Sequence, residues 1–126
     1  MKILLFVCIA GAIGTLIRYL SVKAVSAAVP DPFWATLAVN VAGAFIAGFC
    51  FILCKNKLSI YQHLFPVLFA GFLGGFTTFS AFALESVKLF ADTHYSKFFV
   101  NVLLHNLCGL GAATLGLHTA KLFFKF

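Results

Sequence analysis

A chain of 126 residues that is 63% hydrophobic and only 10% charged carries more apolar surface than a soluble fold of its size can hide. Its net charge of +6 comes from Lys and Arg that stand singly or in one short pair, without a basic stripe, which excludes a nucleic-acid face. Lipid must solvate the remainder, and in hydrocarbon only helices or closed barrels pair every backbone group. The long runs here lack the two-residue alternation of a barrel strand, so helices are expected.

The first run covers about residues 2–25, with Arg18 as its one charge beyond Lys2 and Lys23. Met1-Lys2 before an apolar stretch resembles the start of a signal peptide. The run continues past Gly11, Gly14 and Leu20, however, and three more follow, so it reads as a retained helix. Pro30-Asp31-Pro32 breaks the chain. A second span is expected over about 33–53, closed by an interfacial turn at Lys55-Asn56-Lys57. The third covers about 64–90, with Pro66 in its first turn, and ends at Ala91-Asp92-Thr93-His94. The fourth covers about 98–123, anchored by Lys121 and Lys125. Each meets the requirement of about 20 apolar residues for a span. Short connections make neighbours antiparallel, and residues 1–126 form a single four-helix transmembrane domain. Cys8, Cys50, Cys54 and Cys108 fall inside apolar runs and read as small buried hydrophobes.

Lys2, Lys55, Lys57, Lys121 and Lys125 share one side of the membrane, against Arg18, Lys23, Lys88 and Lys97 on the other. That balance is too even for the positive-inside rule to select a topology. A chain inserting both ways would form antiparallel dimers; the alternative is a fixed topology set by subtler signals.

Polar and flexible residues inside a span carry the functional message. In Gly71-Phe72-Leu73-Gly74-Gly75-Phe76-Thr77-Thr78-Phe79-Ser80, twin glycines and two threonines weaken the helix at mid-span. A break there lines a cavity and exposes carbonyls that bind ions; otherwise the glycines form a packing surface. Phe72, Phe76, Phe79 and Phe82 recur at helical spacing on one face, and the positive ring edges suit a small anion. Thr36 and Asn40 share a face with Gly43 and Ala47; the Asn40 amide either bonds another helix or offers its donors to an anion. Arg18 shares a face with Gly11 and Gly14 and either snorkels or sets a positive field. Glu85 is the only carboxylate well inside a span, and Asn101, His105 and Asn106 form a polar group on the fourth; His118 reads as interfacial.

Taken together, Gly11-Ala-Ile-Gly14-Thr-Leu-Ile-Arg18-Tyr19, Thr36-Leu-Ala-Val-Asn40-Val-Ala-Gly43, the third-span string through Phe82, and Glu85 after it resemble the fluoride channels of the CrcB/Fluc type. The resemblance covers essentially the whole chain. It implies an all-α membrane protein whose third helix is broken, assembled as a dual-topology antiparallel homodimer with two fluoride pathways. It also implies a location in the bacterial inner membrane as a multi-pass protein. By the same resemblance Phe79 and Phe82 match the pore phenylalanines, Asn40 the pore amide, and Ser80 and Thr36 positions close to the pathway. Arg18 matches the first-helix arginine, and Gly74 and Thr77 the positions whose carbonyls hold one structural Na⁺ at the dimer interface. Fluoride, a second copy and the bilayer are the implied partners.

His105 departs from the small or amide residue usual in that family. Facing the pathway, it would make transport pH-sensitive; the expectation adopted is that it bonds within the bundle and stays neutral. Phe76 also replaces a usual aliphatic residue. A proton-coupled multidrug exporter needs a first-span carboxylate, which is lacking, and an enzyme needs clustered acids, whereas Asp31, Glu85 and Asp92 are dispersed in sequence. A purely structural membrane subunit is the remaining alternative.

Overall fold

The computed structural model describes residues 1–55 and 63–124. Asn56, Lys57 and Lys125, read above as an interfacial turn and an end anchor, lie outside them. Helix α1 is Lys2–Ala28 and α2 is Pro32–Lys55. The third span holds α3, residues 63–76, and α4, Phe79–Ala91; the last helix, α5, is Tyr95–Phe124. Four segments, the third combining α3 and α4, are long and apolar enough to cross a bilayer.

Packing follows from where glycines permit close approach. Gly14 is the only buried residue of α1; the rest of that helix presents Leu, Ile and Phe outward, as a lipid-solvated helix does. A Cβ at Gly14 would collide with the backbone of Phe72, and one at Gly75 with the carbonyl of Gly11. α1 and α3 therefore lie backbone to backbone. The same device joins α2 to α5: a Cβ at Gly48 would collide with the Ala113 carbonyl, and one at Gly116 with that of Phe45. Much of the apolar core belongs to α2, which buries Phe33, Ala35, Leu37, Val39, Ile52 and Cys54. α4 rests on α5 and α2, so the third span leaves α1 partway through and crosses to the other helix pair.

The crossing is made by two departures from α-helix. Pro66–Leu73 is wound as a π-helix, in which the Gly74 N–H reaches back five residues to the Phe69 carbonyl. Such turns are rare and concentrate at functional sites. Thr77 (φ −88°, ψ 158°) and Thr78 (φ −147°, ψ 107°) are then fully extended. The break expected around the twin glycines thus falls just after them. Gly74 is helical (φ −61°, ψ −35°), and Gly75 is glycine because α1 leaves no room for a side chain. The β-branched threonines, which favour extended backbone, take the interruption. It also divides the phenylalanine stripe: Phe72 and Phe76 stack on α3 (5.7 Å, 11°), while Phe79 and Phe82 pair on α4.

At one end, Asp31 before α2 meets Lys97 near the start of α5 at 2.9 Å, an exposed pair that contributes little to stability. The α4–α5 turn is tightened by Thr93, at φ 61°.

These contacts set an expectation for two glycines of α5. Gly116→Ala forces a methyl group against the Phe45 carbonyl and should destabilise the protein by about 1–3 kcal/mol. Gly111→Ala meets nothing within 4 Å and should be neutral or stabilising by up to about 1 kcal/mol. Thermal denaturation midpoints in detergent check both.

Candidate functional site

The break opens onto a groove of about 460 Å³. Asn40, Gly43 and Ala47 of α2 form one wall; Gly74, Thr77 and Thr78 form the floor. Phe79 and Phe82 of α4 and His105, Asn106 and Gly109 of α5 form the other wall.

The Asn40 side chain holds the break in place. Its Oδ1 accepts the Thr78 N–H at 2.8 Å and its Nδ2 donates to the Thr78 carbonyl at 3.1 Å, a two-point clamp that imitates a strand pairing. Both polar groups of an extended residue at membrane depth are thereby satisfied, and one Nδ2 hydrogen remains for the groove. The Thr78 hydroxyl accepts from Ala81 N (3.2 Å), capping α4, and lies 3.2 Å from the Ser80 hydroxyl. The Thr77 hydroxyl donates to the Leu73 carbonyl at 2.9 Å.

These bonds have a consequence for the carbonyls. In an uninterrupted helix the Thr78 N–H would close a turn on the Gly74 carbonyl, and the Ala81 N–H would close one on that of Thr77. Both donors are committed elsewhere, to Asn40 and to the Thr78 hydroxyl. The carbonyls of Gly74 and Thr77 are thus released from the helical ladder, and Gly74 is exposed on the groove floor. Hard oxygens of this kind suit an alkali or alkaline-earth cation. Among the described residues no three His, Cys, Asp or Glu side chains converge on a metal site, so main-chain oxygen is the donor type available here.

Phe79 is 77% exposed, unusual for a phenylalanine beside polar backbone. Its ring meets that of Phe82 edge-on, at 5.5 Å and 60°. Phe82 in turn lies against the His105 imidazole at 4.3 Å.

Of the residues singled out from the sequence, Asn40, Gly74, Thr77, Phe79 and Phe82 come together at this groove. Ser80 is exposed at its edge, bonded to Thr78. Thr36 is buried below it and donates to Glu85 Oε1 at 2.6 Å. Arg18 is half-buried on the α1 face that carries Gly14, away from the groove. Sequence reasoning counted Thr78 among the threonines that weaken the span but gave it no place in the site, although the break is clamped there. The available signal was a threonine directly before a helical apolar run, an N-cap pattern.

The three carboxylates, dispersed along the sequence, are not dispersed in space. Asp31, Glu85 and Asp92 line one small cavity of about 110 Å³ together with Lys88, at the end of the bundle where α2 begins and α4 ends. Along the α4–α5 seam, Asn101 is wholly buried and donates to the Ser86 hydroxyl at 3.1 Å, and His105 Nδ1 lies 3.0 Å from the Asn101 carbonyl. Glu85 Oε2, Asn101 Oδ1 and His105 Nε2 are buried without a hydrogen-bond partner.

Residues 5–117 match the family described as CrcB-like protein, Camphor Resistance (CrcB). A protein of Magnetococcus marinus described as fluoride-specific ion channel FluC is 40% identical over 118 residues, covering 93% of this chain and 96% of its own length. Proteins with the same description from Desulforapulum autotrophicum (38% over 118 residues, 93% of this chain and 94% of theirs) and Legionella pneumophila strain Paris (39% over 119 residues, 93% and 88%) are similar.

Removing the clamp should loosen the break alone. Asn40→Ala leaves the part-buried N–H and C=O of Thr78 without their protein partner, at a cost of up to about 1–3 kcal/mol each. Hydrogen–deuterium exchange should quicken at residues 77–82 while the α2–α5 contact stays protected.

Proposed function

The chain belongs to the CrcB-like family, and we propose that it works as a passive fluoride-selective channel that exports the ion and lowers its cytoplasmic concentration. The observation that carries this reading is the groove at the break, where an amide donor and two phenylalanine edges stand beside carbonyls released from the helix.

Fluoride is small and strongly hydrated, so a pore must replace its water without holding it too tightly. The free Nδ2 hydrogen of Asn40 and the hydroxyl of Ser80 supply donors on either side of the break. The ring edges of Phe79 and Phe82 supply weak positive potential that cannot trap the ion. Thr36 lies one turn from Asn40 on the same helix and extends the polar side of the route toward Glu85. Arg18, a fixed positive charge on α1, raises the local anion concentration at a mouth. A negative cell interior drives the anion outward by about 2.3 kcal/mol per 100 mV, so no chemical fuel is needed and the protein is not an enzyme.

A second copy completes the site. The groove leaves Phe79 and Gly74 uncovered, and one chain offers two released carbonyls, from Gly74 and Thr77, whereas a cation of the Na⁺ class needs more oxygens. Two copies related by a two-fold axis double the set. A structural Na⁺ held there would supply a fixed positive charge that biases the neighbouring pathways toward anions. The near-equal Lys and Arg count on the two sides supports an antiparallel arrangement, each copy inserted in the opposite sense, in a bacterial inner membrane.

Vesicles containing only the purified chain should release fluoride and retain chloride. Phe79→Ile, Phe82→Ile and Asn40→Ala should each slow efflux by about tenfold or more, the effect of raising the barrier by about 1.4 kcal/mol. Retention of wild-type efflux in all three would leave only a structural role. Replacing Na⁺ by a large organic cation during purification should dissociate the dimer, measured by cross-linking yield, and abolish flux with it.

A further inference from the structure

The wall residue His105 combines two features that its place in the sequence does not disclose. Its Nδ1 lies 3.0 Å from the Asn101 carbonyl, an oxygen that only accepts, so this nitrogen carries the hydrogen. The neutral ring must then hold its lone pair at Nε2, and Nε2 is buried with no partner. Yet His105 lines the groove, opposite the donor amide of Asn40. In the neutral ring the atom left without a partner is an acceptor, which repels an anion. Adding one proton reverses its character: Nε2 becomes a donor, and the partner it then lacks is an acceptor.

Resting on the fluoride reading above, we propose that His105 is a proton-operated contact for the anion, so that acid strengthens fluoride binding in the groove. The surroundings favour the charged ring once a proton arrives. Phe82 lies 4.3 Å from it with the rings inclined at 34°, a geometry in which an aromatic face stabilises a cation. Among the described residues Glu85, one turn beyond Phe82 on α4, is the charged group that acts on the ring, and Thr36 fixes one of its oxygens. The facing walls of α2 and α3 present Asn40, Gly43, Phe69 and Gly74, with no ionisable side chain; α5 itself adds only Cys108, one turn on. The proton therefore has two candidate seats, His105 and Glu85, and they are separable by substitution.

The test is single-channel recording in planar bilayers, since undissociated hydrogen fluoride crosses lipid without carrying current. Half-saturating fluoride is measured at about pH 5.5 and about pH 8, either side of the ordinary histidine value. It should be several-fold lower at the acidic pH in the wild type and in Glu85→Gln. In His105→Asn and His105→Gln, each compared with itself, the two values should coincide. No shift in the wild type, a shift that persists in either His105 variant, or its loss in Glu85→Gln would each overturn the proposal. Binding linkage gives a check that needs no variant: fluoride should raise the titration midpoint of a buried imidazole followed by ¹⁵N NMR, and an unmoved midpoint counts against it. A wild type that carries no fluoride current at either pH would instead sink the channel reading itself.

Discussion

Inside a bilayer every main-chain N–H and C=O must find a partner within the protein. The extended pair Thr77–Thr78 interrupts helical pairing within the third span, and a single side chain, Asn40, pairs both main-chain groups of Thr78. The repair redistributes bonding as well as filling a gap. Because the Thr78 N–H goes to Asn40, the Gly74 carbonyl loses its helical donor; because the Ala81 N–H goes to the Thr78 hydroxyl, so does that of Thr77. The amide and hydroxyl that stabilise the break are therefore what make oxygen available at it. Structure and function meet in one set of hydrogen bonds.

The position of the break follows from packing on either side. Before it, the third span is pressed against α1 through glycines that admit no side chain; after it, α4 rests on α5 and α2. Helices in lipid gain little from hydrophobic association and rely on close van der Waals contact. A straight third helix would have to keep one partner along its full length. The π-wound turn and the two extended residues let it give up α1 and take α5, and the groove is the space left at the change of partner.

Much of this was legible in the sequence, because long apolar runs, proline breaks and intramembrane polar residues each have a direct physical meaning. The interruption was legible in the string Gly74-Gly75-Phe76-Thr77-Thr78, but not which of its residues leave the helix. Propensity marks Gly74 and Gly75 as weak, but Gly75 is there to admit α1, and the interruption is stabilised by a residue 38 positions away. The Thr36–Glu85 bond joins residues 49 apart, and the gathering of Asp31, Glu85 and Asp92 at one cavity likewise depends on helix pairing that spacing does not encode. The orientation of His105 was undetermined for a related reason. It belongs to a face with Asn101, and Asn106 follows it, so a bundle contact and a groove position were both consistent with the pattern; it occupies both.

The groove and the α4–α5 seam differ in the polar groups they leave over. The groove presents the Asn40 amide beside the carbonyls released from the helix. The α4–α5 seam holds acceptors that lack donors: a Glu85 oxygen and the Asn101 side-chain amide oxygen. His105 stands at their boundary, with one nitrogen tied to the seam and its ring on the groove wall. The floor shows a complementary asymmetry. Within its own chain a Cβ at Gly74 would meet nothing closer than the Phe69 carbonyl at 3.5 Å, an ordinary contact, so no neighbour in this chain demands a glycine there. In the proposed dimer, a second copy placing its own carbonyls around a shared cation would be an approach that uses bare backbone at Gly74.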